Sequence, residues 1–235
     1  MSGLTIGAPV DGVVVAELDR PPGNLWTVEL CAQLTQFLMQ PPEDAHVLHL
    51  RSTGDVFCLG RERGSTSPAD LRAEAKVLVE LTRAFRRTRL VTVAEVQGDA
   101  HAFGVGVLAA CDVSVAVADA GFAFPEVEIG LAPAIVLAWL PRVVGEREAF
   151  WLTATGERLP AARALELGML NAVVPTRDDL RAEVERRIAE LRRRSPRVHA
   201  DIRDMLRAMS PLDDDAALDM SIDRLVVGSL RRSEG

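Results

Sequence analysis

Val96-Gln97-Gly98-Asp99-Ala100-His101-Ala102-Phe103-Gly104-Val105-Gly106-Val107-Leu108-Ala109-Ala110-Cys111-Asp112 lies between two apolar runs, Leu90 to Val96 and Val113 to Ala118. Runs of that length and composition read as strands buried within a sheet. Between them, Gly98 to Phe103 reads as a turn and Gly104 to Cys111 as a short helix. The segment is therefore a strand, turn, helix, strand unit, the pattern of layered α/β folds with crossover connections.

Two earlier units have the same form. Gly12 to Leu18 is β-branched and apolar and stops at Asp19-Arg20-Pro21-Pro22-Gly23-Asn24, where two prolines and a glycine break the strand. Thr27 then caps a helix to about Met39, with Leu30, Leu34 and Leu38 on one face. The second unit starts with a strand at Val47 to Arg51 and passes through a loop over Ser52 to Ser67. It ends in a helix with Leu71, Leu78, Leu81 and Phe85 at helical spacing.

After residue 135 the pattern is mainly helical. Leu180, Val184, Ile188 and Leu191 form one stripe on a helix that starts after Pro175-Thr176, and its arginines suit the negative helix end. Leu218, Ile222, Leu225 and Leu230 suggest a last helix. The division between core and helical appendage is placed near residue 176.

The composition sets outer limits. At 235 residues and 48% apolar, the chain can bury a core as one domain with a small appendage. A net charge of −7 opposes a nucleic-acid partner, which needs a concentrated basic face. No run approaches the ~18 apolar residues of a membrane span, and Met1-Ser2-Gly3-Leu4 has no basic segment leading into a hydrophobic one. No membrane partner and a cytoplasmic location are expected. Cys31, Cys58 and Cys111 are widely spaced, with no CxxC pair and no histidine at ligand spacing. They read as reduced thiols, and no metal site is expected.

Three segments together carry a family resemblance. They are Val47 to Gly60 with its Phe57-Cys58-Leu59-Gly60 end, the Val96 to Asp112 stretch, and Gly121-Phe122-Ala123-Phe124-Pro125-Glu126-Val127-Glu128-Ile129-Gly130-Leu131-Ala132-Pro133. In order and separation they resemble the crotonase (enoyl-CoA hydratase/isomerase) superfamily. Leu152-Thr153-Ala154-Thr155-Gly156, Ala161 to Gly168 and Val173-Val174-Pro175 extend the resemblance, which covers roughly residues 12 to 230.

The resemblance implies an α/β fold, a crotonase-like spiral of ββα units with a C-terminal helical region. Residues 1–176 would be the core and 177–235 a helical trimerisation region, in a homotrimer or dimer of trimers. The substrate would be an acyl-CoA or carrier-protein thioester, with no cofactor beyond the CoA of the substrate itself. Such enzymes hold a thioester oxygen with two backbone N–H groups as negative charge develops on it, and losing one such donor typically costs ~10²–10³ in rate. Carried over by position, the donors are the N–H groups of Leu59 and Phe103, with a bulky side chain where the family usually has glycine.

Glu126 falls on one of the two glutamates that move protons in hydratases, and its apolar surroundings would raise its pKa. The other glutamate falls on Gly106, which carries no proton. His101 is a candidate assistant. Glu128 is read as a surface residue, although in an extended segment it would share a side with Glu126. For the CoA moiety the resemblance points to Arg20, Asn24 and Leu25 in the first turn and to Arg61 and Arg63 after the first donor. Hydration of an enoyl thioester is the leading reaction by the resemblance and double-bond isomerisation the second, although the glutamate missing at Gly106 shifts weight toward isomerisation. The alternative is a non-catalytic, accessory subunit that binds a thioester or a partner enzyme. A nicotinamide site on Gly104-x-Gly106 fails, because no third glycine follows at the fingerprint spacing.

Overall fold

The computed structural model describes residues 3–62, 64 and 67–233. The chain divides into two compact units, one ending at Arg193 and one beginning at Arg194.

The first unit opens with β1 (Leu4–Ile6), β2 (Val13–Leu18), α1 (Val28–Met39), β3 (Val47–Ser52), α2 (Pro68–Arg87) and β4 (Val91–Val96). Next come β5 (Ala100–His101), α3 (Phe103–Ala110), β6 (Val113–Val117), β7 (Gly121–Ala123) and a 3₁₀ turn over Pro125–Ile129. It closes with α4 (Ala134–Leu137), α5 (Leu140–Val144), α6 (Glu146–Thr155), β8 (Leu159–Pro160), α7 (Ala161–Glu166), β9 (Ala172–Val174) and α8 (Arg177–Arg192).

α1, α2 and α8 each start where a hydroxyl caps them. Thr27 Oγ1 accepts from Leu30 N at 3.3 Å, Ser67 Oγ from Asp70 N at 3.2 Å, and Thr176 Oγ1 from Asp179 N at 3.1 Å. Each bond satisfies a first-turn N–H that has no partner inside its own helix.

The main sheet has the order β1-β2-β3-β4-β6-β9. β1 runs antiparallel to β2, and every other neighbouring pair is parallel. Val91, Thr92, Val93 and Ala94 of β4 are buried in succession, as a strand covered on both faces requires, whereas β2 buries Val14, Ala16 and Leu18 on one face. A second sheet of order β5-β7-β8 lies at the turn before α3. The segment expected as a turn contains β5, which pairs in parallel with β7 through Ala100↔Phe122 and His101↔Ala123.

The core boundary also differs from the one expected near residue 176. α8 packs on β4, β6 and β9, with Leu180, Val184 and Ile188 buried. Its apolar stripe therefore belongs to the sheet unit, and the division falls after Arg193.

The second unit contains α9 (Pro196–Met209) and α10 (Asp214–Ser233). Within it Arg231 pairs with Asp201 at 3.4 Å. α9 was not anticipated, and α10 coincides with the apolar stripe from Leu218 to Leu230. Among the described residues no helix is long and apolar enough to cross a membrane.

Candidate functional site

A cavity of about 950 Å³ opens in the first unit between α2, α3 and the segment that carries Glu126. Leu78, Leu81 and Phe85 of α2 form an apolar wall, and Phe103, Gly106 and Val107 of α3 form the opposite one. Among the described residues Arg61, Glu126 and Glu128 are the charged ones on a lining that is otherwise mostly apolar, as in small-molecule sites generally.

The loop after β3 shows which backbone donors face this space. Leu59 N donates to the Gly23 carbonyl oxygen at 2.8 Å, so its N–H is used within the fold. This corrects the expectation that Leu59 supplies a donor. Trp26 N donates to Gly60 O at 3.0 Å and Glu62 N to Trp26 O at 2.8 Å, an isolated parallel bridge. Because backbone polar groups alternate along an extended chain, that bridge turns the N–H of Arg61 to the other side. Arg61 lines the cavity, and among the described residues its amide has no carbonyl partner. The loop amide turned away from Trp26 is that of Arg61, two residues beyond the one inferred by position.

Gly60 makes the turn with φ +123°, a region glycine enters without strain. A Cβ built on it would lie 3.7 Å from Ala102 Cβ, so the loop packs directly against the residue preceding α3.

Phe103 is the first residue of α3, and its N–H has no acceptor among the described residues, as first-turn geometry dictates. The positive end of α3 adds to the field on any oxygen held there. Ala102 turns the chain into the helix with φ 50° and ψ −118°, a strained conformation for a residue with a Cβ. Gly104 lets α3 seat against the loop, since a Cβ there would stand 2.9 Å from Cys58 Sγ. The Phe103 ring meets Trp26 edge-on at 6.4 Å between centroids.

Glu126 follows Pro125 in the 3₁₀ turn and lines the cavity, with Oε2 closed off from solvent. Glu128 is exposed and lines the cavity as well. The segment is helical, not extended, so their shared side does not come from strand alternation.

Gly106 sits three residues beyond Phe103 on the same cavity wall. A Cβ at that position would lie 3.9 Å from both Cζ2 and Nε1 of Trp139. Trp139, between α4 and α5, also lines the cavity, and the sequence reading missed it. Its only signal was an indole in an otherwise aliphatic stretch.

His101 is a strand residue of β5 and is not among the cavity-lining residues. Burial lowers its pKa, with Asp99 opposing that shift.

The residues assigned to CoA are mostly engaged elsewhere. Asn24 is buried, accepts from Arg20 N at 2.9 Å, and donates through Nδ2 to the carbonyls of Thr53 at 2.7 Å and Val56 at 2.8 Å. It is a loop tie, which corrects its placement among ligand contacts. Arg20 donates to Leu25 O at 2.5 Å and pairs with Glu62 at 2.6 Å. Arg61 pairs with Glu74 at 3.3 Å. Arg63 lies outside the described residues. The buried Cys31 and Cys58 are free thiols, and burial pushes both up to about 12.

Comparison with known proteins gives consistent matches. Residues 10–227 match the family model described as enoyl-CoA hydratase/isomerase. The enoyl-CoA hydratase AKT6-1 of Alternaria alternata is 31% identical over 193 residues, covering 80% of this chain and 64% of that protein. The enoyl-CoA isomerase/hydratase fer4 of Mycosarcoma maydis is 32% identical, covering 72% of this chain and 67% of that protein. The chain thus spans 64% of the length of the first curated relatives it matches. Among solved structures, an enoyl-CoA hydratase of Mycobacterium smegmatis superposes with a TM-score of 0.90 at 25% identity, over 96% of this chain and 90% of that one.

Proposed function

The chain belongs to the enoyl-CoA hydratase/isomerase family, and on that premise we propose that it is an enzyme acting on acyl-CoA or carrier-protein thioesters through an enolate. The N–H groups of Arg61 and Phe103 hold the thioester oxygen, and Glu126 moves a proton on or off carbon. The observation that carries this reading is that Arg61, Phe103 and Glu126 all line one cavity of about 950 Å³. Donors fixed in advance in a dry site require little reorganisation as charge develops on the oxygen.

Gly106 bears on the choice of reaction. With no side chain there, one carboxylate in place of two favours shuttling a proton between carbons of an enoyl thioester. Hydration remains within reach, because Glu128 also lines the cavity. The ion pairs of Arg20 with Glu62 and Arg61 with Glu74 leave neither guanidinium unopposed for phosphates. That supports keeping a carrier-protein thioester beside CoA as the substrate's handle. Assembly as a trimer or dimer of trimers belongs to the same reading and is checked by sizing in solution.

The test is to incubate the protein with 2-enoyl and 3-enoyl thioesters and follow the products by mass. Interconversion of the two isomers supports isomerisation, and a gain of one water supports hydration. Retained thioester binding without turnover of either would establish the accessory, non-catalytic alternative.

A further inference from the structure

Gly106 and Trp139 form a pair that the proton-moving reading leaves unused. α3 rises ~1.5 Å per residue, so Gly106 stands ~4.5 Å further along the helix than Phe103 and on the same face. A group bound with its thioester oxygen at the Phe103 amide would therefore carry its next two carbons toward Gly106. The side-chain space at Gly106 is empty of its own atoms and is bordered by Trp139, whose Nε1 is 3.9 Å from where a Cβ would be.

Trp139 is held firmly in that place. Its N donates to Val136 O and its carbonyl accepts from Arg142 N, both at 3.0 Å. Its ring packs on the hydrophobic core. The indole nitrogen can only donate. Among the described residues no acceptor meets it. The indole N–H is not closed off from solvent, so a ligand oxygen entering the cavity can reach it and replace water as its acceptor.

Resting on the thioester reading above, we infer that Trp139 is a specificity-determining residue whose indole N–H binds an oxygen two carbons beyond the thioester carbonyl, selecting acyl groups with a neutral 3-hydroxyl or 3-keto oxygen. Neutrality follows from the surroundings, since Glu126 and Glu128 line the same cavity, the Arg61 guanidinium that also lines it is paired with Glu74, and Trp139 brings no positive charge. Gly106 is what makes room, because any side chain there would stand between the ligand and the indole.

The test compares binding of 3-oxobutyryl-CoA and butyryl-CoA by calorimetry at mildly acid pH, in the native chain and in Trp139→Phe. A 3-keto thioester is used because it cannot lose water. The native chain should bind the 3-oxo ligand about threefold to tenfold more tightly than the saturated one. Trp139→Phe, which keeps an aromatic ring but removes the donor, should abolish that preference, read as the ratio of the two affinities within each protein. Equal affinities in the native chain overturn the inference without any variant, and so does an undiminished preference in Trp139→Phe. Failure of either acyl group to bind, as CoA or as pantetheine thioester, overturns the thioester reading and this inference with it.

Discussion

The amide of Leu59 donates to the carbonyl oxygen of Gly23 at 2.8 Å, which ties the loop after β3 to the turn after β2. With Leu59 committed there and Gly60 turned toward Trp26, the next amide, that of Arg61, faces the cavity. The oxyanion half of the proposed site thus depends on the backbone path through Gly60 and on no side chain of its own.

Gly60→Ala should therefore damage turnover more than folding. At φ +123° an alanine is strained by ~1–3 kcal/mol, and relief of that strain rotates the Arg61 N–H. The expected result is a fall in kcat of about tenfold or more in the thioester assay, with the protein still folded by circular dichroism. An unchanged kcat would remove Arg61 as the donor.

Ala102→Gly should stabilise the chain. Ala102 holds φ 50° and ψ −118°, which glycine adopts freely. Release of the strain, less the extra freedom of glycine in the unfolded chain, leaves a net gain of about 1 kcal/mol. A higher Tm in thermal melts would bear this out, and a lower one would show that Ala102 is not strained.

Asn24→Ala separates a structural tie from a ligand contact. The change leaves the carbonyls of Thr53 and Val56 without their donor, at a cost of roughly 2 kcal/mol or more. Urea melts should show that loss of stability. The KM for a CoA thioester, measured on the fraction that remains folded, should move little, and a large KM effect at full stability would restore Asn24 as a ligand contact.

Acid sensitivity should trace in part to β3 and β4, where His49 Nε2 meets Glu95 Oε2 at 2.7 Å. Burial alone raises the pKa of Glu95. The hydrogen bond and charge of His49, with Arg51 and Arg181, outweigh burial and hold it below its usual value. A carboxylate with a depressed folded pKa adds stability above its unfolded pKa of ~4.3, and that stability is lost as pH falls through the folded value. Tm measured against pH for the native chain and Glu95→Gln should therefore differ at neutral pH and converge toward pH ~3. A constant gap across that range would contradict the assignment.

Much of this was legible in the sequence for identifiable reasons. α1, α2 and α8 announced themselves by apolar stripes at helical spacing, the first with Thr27 as its cap, and β2, β3, β4 and β6 by short, largely apolar runs. Short strands such as β5 and β9 exist only through partners distant in sequence, so periodicity could not find them. Phe103 and Glu126 were placed on the cavity wall as expected from position. Leu59 was not the donor because hydrogen-bond direction along a loop depends on its neighbours across space, here Gly23 and Trp26. Trp139 escaped for a similar reason, since only the fold sets it opposite Gly106.

The most direct test of the proposed chemistry is turnover of an enoyl thioester by Glu126→Gln, paired with binding of a saturated acyl thioester to the same protein. Removing the proton carrier while keeping the side chain's size should lower kcat by about 10²–10⁴-fold and leave binding nearly unchanged. Turnover equal to that of the native chain would contradict the assignment of Glu126 and the mechanism built on it.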